Sequence, residues 1–276
     1  MLLRAELEGL LAKGGRDGAD VVHAALLLEK EERPAILVDK TLNELARWAD
    51  TIDRRLGGAR APVALAETIS SFLFNELGFR PNREAYYQPA NSHLSQVVER
   101  RLGIPISLSL IYLGIGHRLQ TPMAGIGFPG HFLLRIGDER KGILADPFGL
   151  GRVLDRASTE ALLHQYCGAQ AQLSPSHLQA LSPRGTLARM QRNLKLIYLR
   201  ENNFQAALDA TDRIVFLLPE DPEEHRDRGL LFERLECFGA AQKDYETYLD
   251  LAPTNEDVPL IRERLVNVGA KAARVN

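Results

Sequence analysis

Apolar residues recur at spacings of three and four through most of the N-terminal third of the chain, the period of a helix with one buried face. Residues 21–30 (VVHAALLLEK), 34–56 and 61–77 each carry such a stripe, so three helices are expected, the third stopping at Gly78 as a C-terminal cap. The run RPNREAYYQPANSH then loses periodicity and is rich in Asn, Pro and Tyr, which predicts an ordered loop. Residues 95–101 form a short amphipathic stretch ending near Gly103. The segment SLSLIYLGIGHRL, 107–119, is apolar almost all round and predicts a buried central helix beginning near Pro105.

Beyond Pro122 the period changes. MAGIGF, HFLLRI and GILADPF read as strands, and polar turns such as 137–142 predict an antiparallel hairpin. This α+β zone ends near Cys167. From there the chain is helical and repeats. Asn203-Phe204-x-Ala206-Ala207 returns as Cys237-Phe238-x-Ala240-Ala241, and Leu217-Leu218-Pro219 returns as Leu251-Ala252-Pro253, each 34 residues on. That is the period of the helix–turn–helix tetratricopeptide unit, with a last helix over 258–272 to cap the stack. The fold expected is α+β: a helical N-terminal region and a core with a small antiparallel sheet, residues 1–175, followed by α-helical repeats, residues 176–276.

Composition narrows the function classes. Apolar residues make up 45% and charged residues 25% of 276, as in soluble globular proteins. The net charge of −2 supplies no general attraction to nucleic acid or anionic lipid. No apolar window is long enough to span a bilayer, and charges interrupt the N-terminus too early for a secretory signal. Cys167 and Cys237 show no metal-ligand spacing and suit a reducing compartment. A cytoplasmic protein without metal or cofactor is expected.

One motif points the other way at first. Residues 125–130, GIGFPG, match the glycine spacing of a dinucleotide loop. Such a loop must open a helix whose N–H groups face the pyrophosphate. Here a strand-forming HFLLRI follows, and Pro129 lacks an N–H where donors are needed. Gly125, Gly127 and Gly130 instead permit tight, left-handed backbone and deliver His131 to the head of its strand. Asp146, near the head of the next strand, then comes within hydrogen-bond reach, and a carboxylate there fixes the imidazole tautomer. A nucleophile would complete a triad from the start of the helix near Pro105.

Gly103-Ile104-Pro105-Ile106-Ser107, the apolar helix, His131-Phe132-Leu133-Leu134 and Asp146-Pro147 together resemble the core of the transglutaminase-like, papain-related superfamily. More closely, Asn75-Glu76-Leu77-Gly78-Phe79, Arg100-Arg101-Leu102-Gly103-Ile104-Pro105, Gly127-Phe128-Pro129-Gly130-His131-Phe132 and Asp146-Pro147-Phe148 resemble the bacterial sirC-expression-regulator family, which joins such a core to C-terminal tetratricopeptide repeats. The resemblance implies a Cys-His-Asp triad with His131 and Asp146 on two of its positions. It sets Pro105 where the cysteine belongs, a residue with neither a nucleophile nor an N–H for an oxyanion hole.

Ser107 and Ser109, in the first turn of that helix, are the nucleophiles left nearby, although a cap or a back-bond to a carbonyl is the usual use of such serines. Cys167 reads as a packing residue. Asn75, Asn82, Asn91 and Ser92 read as satisfying loop backbone, and Tyr86 and Tyr87 as core or rim packing. The sequence thus implies a regulatory or scaffold protein that binds a protein or peptide through its repeats, with a vestigial His131–Asp146 dyad and no direct contact to nucleic acid or membrane. Two other functions fit the same residues. One is a hydrolase or acyl transferase using His131, Asp146 and Ser107. The other is a small-molecule sensor reusing the former active site.

Overall fold

The computed structural model describes residues 2–12 and 20–275, in two compact units, Met1–Thr186 and Leu187–Asn276. The first unit opens with helices α1 (Leu2–Ala12), α2 (Val21–Glu32), α3 (Val38–Leu56) and α4 (Pro62–Ser70), the last running on as a π-helical turn, Ser71–Glu76. The Asp20 side chain accepts from the His23 N–H to start α2. Gly57 in the left-handed region ends α3. The periodicity predicts α3 from residue 34, but the helix starts at Val38. Leu37 is extended and 70% exposed, so no burial draws 34–37 into the helix.

Helix α6 (Pro105–Arg118) is the axis of this unit. It touches α2, α3 and α5 (Leu94–Arg100) on one side, and strands β3 (Met123–Ile126) and β4 (Leu133–Ile136) on the other. Ile106, Leu108, Leu110, Ile111, Tyr112 and Ile115 are almost wholly buried. Each such aliphatic side chain contributes about 1.5–3 kcal/mol over its exposed state. A helix contacted all round needs no polar stripe, and for that reason its sequence shows none.

Strands β3, β4, β5 (Ile143–Asp146) and β6 (Arg152–Leu154) form an antiparallel meander, with Leu134 opposite Ala145 and Ala145 opposite Val153. Helix α4 lies against β4, β5 and β6, and α7 (Arg156–Cys167) lies against β6. Two strands of two residues, β1 (Arg80–Pro81) and β2 (Leu102–Gly103), pair in parallel and fasten the Asn-rich loop beside the start of α6. Helix α5 ends on Arg101 at φ +60, its guanidinium over Trp48 at 4.6 Å and Phe79 at 5.0 Å.

The second unit is a helical stack. Helix α8 (Pro183–Arg200) enters it, followed by α9 (Phe204–Leu217), α10 (Pro222–Arg234), α11 (Phe238–Leu251) and α12 (Val258–Val275). The repeat of 34 residues extends to the backbone, since Asn202 at φ +57 and Glu236 at φ +61 occupy equivalent turns. Ala207 and Ala241 are fully buried, as expected of small residues that let paired helices approach. Leu194, Tyr198 and Leu208 form one core of the stack, and Tyr245, Tyr248 and Ile261 another. Among the described residues, no helix is long and apolar enough to cross a membrane.

Candidate functional site

Phe128-Pro129-Gly130-His131 is a β-turn, closed by the His131 N–H donating to the Phe128 carbonyl at 3.0 Å. Pro129 in its second position and Gly130 at φ +66 in its third match the type II turn, whose third residue must be left-handed. Gly125 and Gly127 are not left-handed, contrary to expectation. A Cβ on Gly125 would fall 2.5 Å from the Phe132 ring, and one on Gly127 would fall 3.1 Å from Leu181. Those two glycines serve close packing, and only Gly130 serves backbone conformation.

His131 precedes β4 by two residues, while Asp146 closes β5 instead of heading it. The hairpin itself explains the meeting. In an antiparallel pair the start of one strand lies beside the end of the next. His131 Nε2 and Asp146 Oδ1 are 2.9 Å apart, with the two side chains 1% and 7% exposed. Asp146 Oδ1 also accepts the Phe148 N–H at 3.0 Å, so the turn after β5 fixes the carboxylate. A carboxylate accepting at Nε2 favours the tautomer with its hydrogen there, which leaves Nδ1 as the basic nitrogen.

Aromatic rings enclose the pair. Tyr166, in the last turn of α7, stacks on the imidazole with centroids 5.1 Å apart and planes at 17°. Phe148 meets the imidazole at 5.9 Å and 68°, and Tyr86 meets Phe148 edge-on at 6.2 Å. The Arg83 guanidinium lies 4.5 Å over the Phe148 ring, and its Nη2 donates to the Phe148 carbonyl at 3.3 Å. Burial, with a smaller contribution from the Asp146 charge, raises the Tyr166 phenol above its ordinary range, and Arg83 opposes this. Burial also holds the Tyr112 phenol high; its hydrogen bond to Ser70 works against the shift and the Asp146 charge adds to it.

Pro105 is the first residue of α6 and is buried. Ser107 Oγ accepts the Ile104 N–H at 3.0 Å and donates to the Ile104 carbonyl at 3.2 Å. Ser109 Oγ donates to the Pro105 carbonyl at 2.8 Å. Both serines are fully buried, and both hydroxyls serve the helix start. Cys167 is exposed at the end of α7. Asn82 and Asn91 bond each other at 3.0 Å and satisfy the Ala85 N–H and the Ala85 and Tyr86 carbonyls. Among the described residues, no three His, Cys, Asp or Glu side chains converge to hold a metal ion.

A second buried imidazole–carboxylate pair went unforeseen. His225 Nδ1 lies 3.2 Å from Asp244 Oδ1 in the repeat unit, and Nε2 lies 2.8 Å from the Pro219 carbonyl. The period of 34 aligns α9 with α11, so α10 must run between them, and that placement was the signal for charged residues of α10 and α11 to be paired.

Comparison with known families matches residues 39–192 to the transglutaminase-like superfamily and 194–266 to the tetratricopeptide repeat. The chain is 34% identical over 254 residues to a UPF0162 protein of Xylella fastidiosa strain 9a5c, covering 90% of this chain and 89% of that protein. It is 33% identical over 250 residues to a UPF0162 protein of Vibrio cholerae, covering 90% and 92%. It is 29% identical over 230 residues to Protein SirB1 of Salmonella typhimurium, covering 83% and 85%. No solved structure matches significantly.

Proposed function

The chain belongs to the UPF0162 family, and from that premise we propose that it is a cytoplasmic regulatory or scaffold protein whose transglutaminase-like domain does not perform acyl transfer. The observation that carries this is the start of α6. Proline occupies its first position, and the two nearby serine hydroxyls are engaged with the backbone of the same turn. A serine nucleophile needs a base within hydrogen-bond reach and a hydroxyl free to give up its proton. Partner binding falls to the repeats, whose stacked helices offer an extended face to a protein or peptide. Leu196 and Leu199 on α8 are 52% and 36% exposed and supply apolar contact there.

Two measurements on the full chain test this. Fluorophosphonate labelling followed by mass spectrometry is expected to find no Ser107 adduct. An adduct that disappears in His131→Ala would restore the hydrolase or acyl transferase alternative. In affinity capture, Leu196→Glu combined with Leu199→Glu is expected to lose partners that His131→Ala retains. The opposite pattern would shift the binding function to the transglutaminase-like domain.

A further inference from the structure

The imidazole of His131 is 1% exposed, yet the ring stacked on it belongs to a residue that is itself 39% exposed. On that side Tyr166 separates His131 from solvent. Its root has been given room, since a Cβ on Gly130 would fall 2.8 Å from the Tyr166 Cβ. The ring is attached near the end of α7, one residue before Cys167 closes the helix, so it hinges on side-chain torsions at a helix terminus.

Arg83 stands at the same place. Its guanidinium and the His131 ring lie 4.5 and 5.9 Å from the centre of one Phe148 ring. The exposed guanidinium gives one donor to the Phe148 carbonyl while it lies over the Phe148 ring, and among the described residues no carboxylate pairs with it. Most other arginines of this unit near an acid are engaged, as Arg33 is with Glu29 and Arg101 with Glu44. A planar fork short of a carboxylate is suited to bidentate capture of one.

We propose that the former active site is a gated binding site for a carboxylate ligand. Arg83 takes the carboxylate, and an apolar or aromatic group of the ligand replaces the Tyr166 ring over His131. Tyr166 swings outward as the ligand enters. The dyad thus acts as the floor of a recognition site and not as an acid–base pair, and this holds whichever partner the repeats bind. A small organic acid and a peptide C-terminus both present this chemistry.

Ethoxyformylation of histidines in the full chain, read residue by residue by mass spectrometry, tests the gate. Exposed His117 serves as the internal standard. In the native chain His131 should react at least about tenfold more slowly than His117, because reactivity scales with the open fraction. Tyr166→Ala should raise the His131 rate about tenfold. Tyr166→Phe should behave as the native chain. Circular dichroism confirms that each variant is folded, and an unchanged rate in Tyr166→Ala overturns the gate.

In Tyr166→Ala, millimolar benzoate or a peptide ending in free phenylalanine should slow His131 modification. The amidated peptide should not, and adding Arg83→Gln should abolish protection. Protection by benzoate alone supports a small acid, and by the free peptide alone a chain terminus. Failure of both, or equal protection by the amidated peptide, overturns carboxylate recognition.

Discussion

His131–Asp146 in the first unit and His225–Asp244 in the second are the same pair of side chains, 2.9 and 3.2 Å apart and similarly buried. Their surroundings differ. Asp244 also takes Arg228 in a fork, with both nitrogens at 2.8 Å, and Arg228 reaches on to Asp212 at 2.7 Å. Those contacts join α9, α10 and α11. Both nitrogens of His225 face acceptors, so its ring is a fastener between helices. Asp146 instead takes one backbone N–H of its own turn, and its histidine lies beneath the partly exposed ring of Tyr166. A buried His–Asp pair therefore signals a site only when its environment leaves the imidazole a way out.

The largest effect should come from Asp244→Ala. Removing the shared carboxylate leaves His225 Nδ1 without its acceptor and Arg228 with Asp212 alone, and breaking a buried ion pair costs about 3–5 kcal/mol. Hydrogen exchange of the full chain should show lost protection in α10 and α11 with β4 and β5 unchanged. Asp146→Ala should cost less, about 1–3 kcal/mol for the donors left without an acceptor, with exchange rising at the turn after β5. If Asp146→Ala proved the costlier of the two, the first pair would be the structural fastener and the contrast would invert.

Much of this fold was legible because burial imposes period. The stripes of α2 and α3, the uniform apolarity of α6 and the repeat of 34 residues each correspond to elements that are present. Gly125, Gly127 and Gly130 were separable from a phosphate loop because a strand follows them. The dyad was legible from two residue types and one hairpin, although Asp146 lies at the end of its strand. Other features had no local signature. Arg83, Phe148 and Tyr166 are far apart in sequence, and no spacing rule relates a loop guanidinium to the rings it meets. The π-helical turn at Ser71–Glu76 and the pairing of β1 with β2 depend on long-range packing that periodicity does not encode. His225 was hidden because α10 reads as a polar surface helix until its neighbours pair with it.

The smallest expected effect is the most informative about chemistry. Ser107 is the hydroxyl that the hydrolase alternative would use, yet it holds the Ile104 N–H and carbonyl. At the third helical position it accepts the Ile104 N–H, and its loss should cost about 1 kcal/mol, the lower end for a buried donor left without its acceptor. Chemical denaturation of Ser107→Ala should therefore show a modest fall in midpoint with no change in slope. Benzoate protection of His131 in the Tyr166→Ala background should persist, since Ser107 has no part in holding the carboxylate. A nucleophile would behave differently, because its loss would remove every His131-dependent adduct whatever it did to stability. Denaturation of Ser107→Ala, read beside its fluorophosphonate labelling, thus separates a helix cap from a reacting group and decides whether the first pair differs from the second by chemistry or only by access.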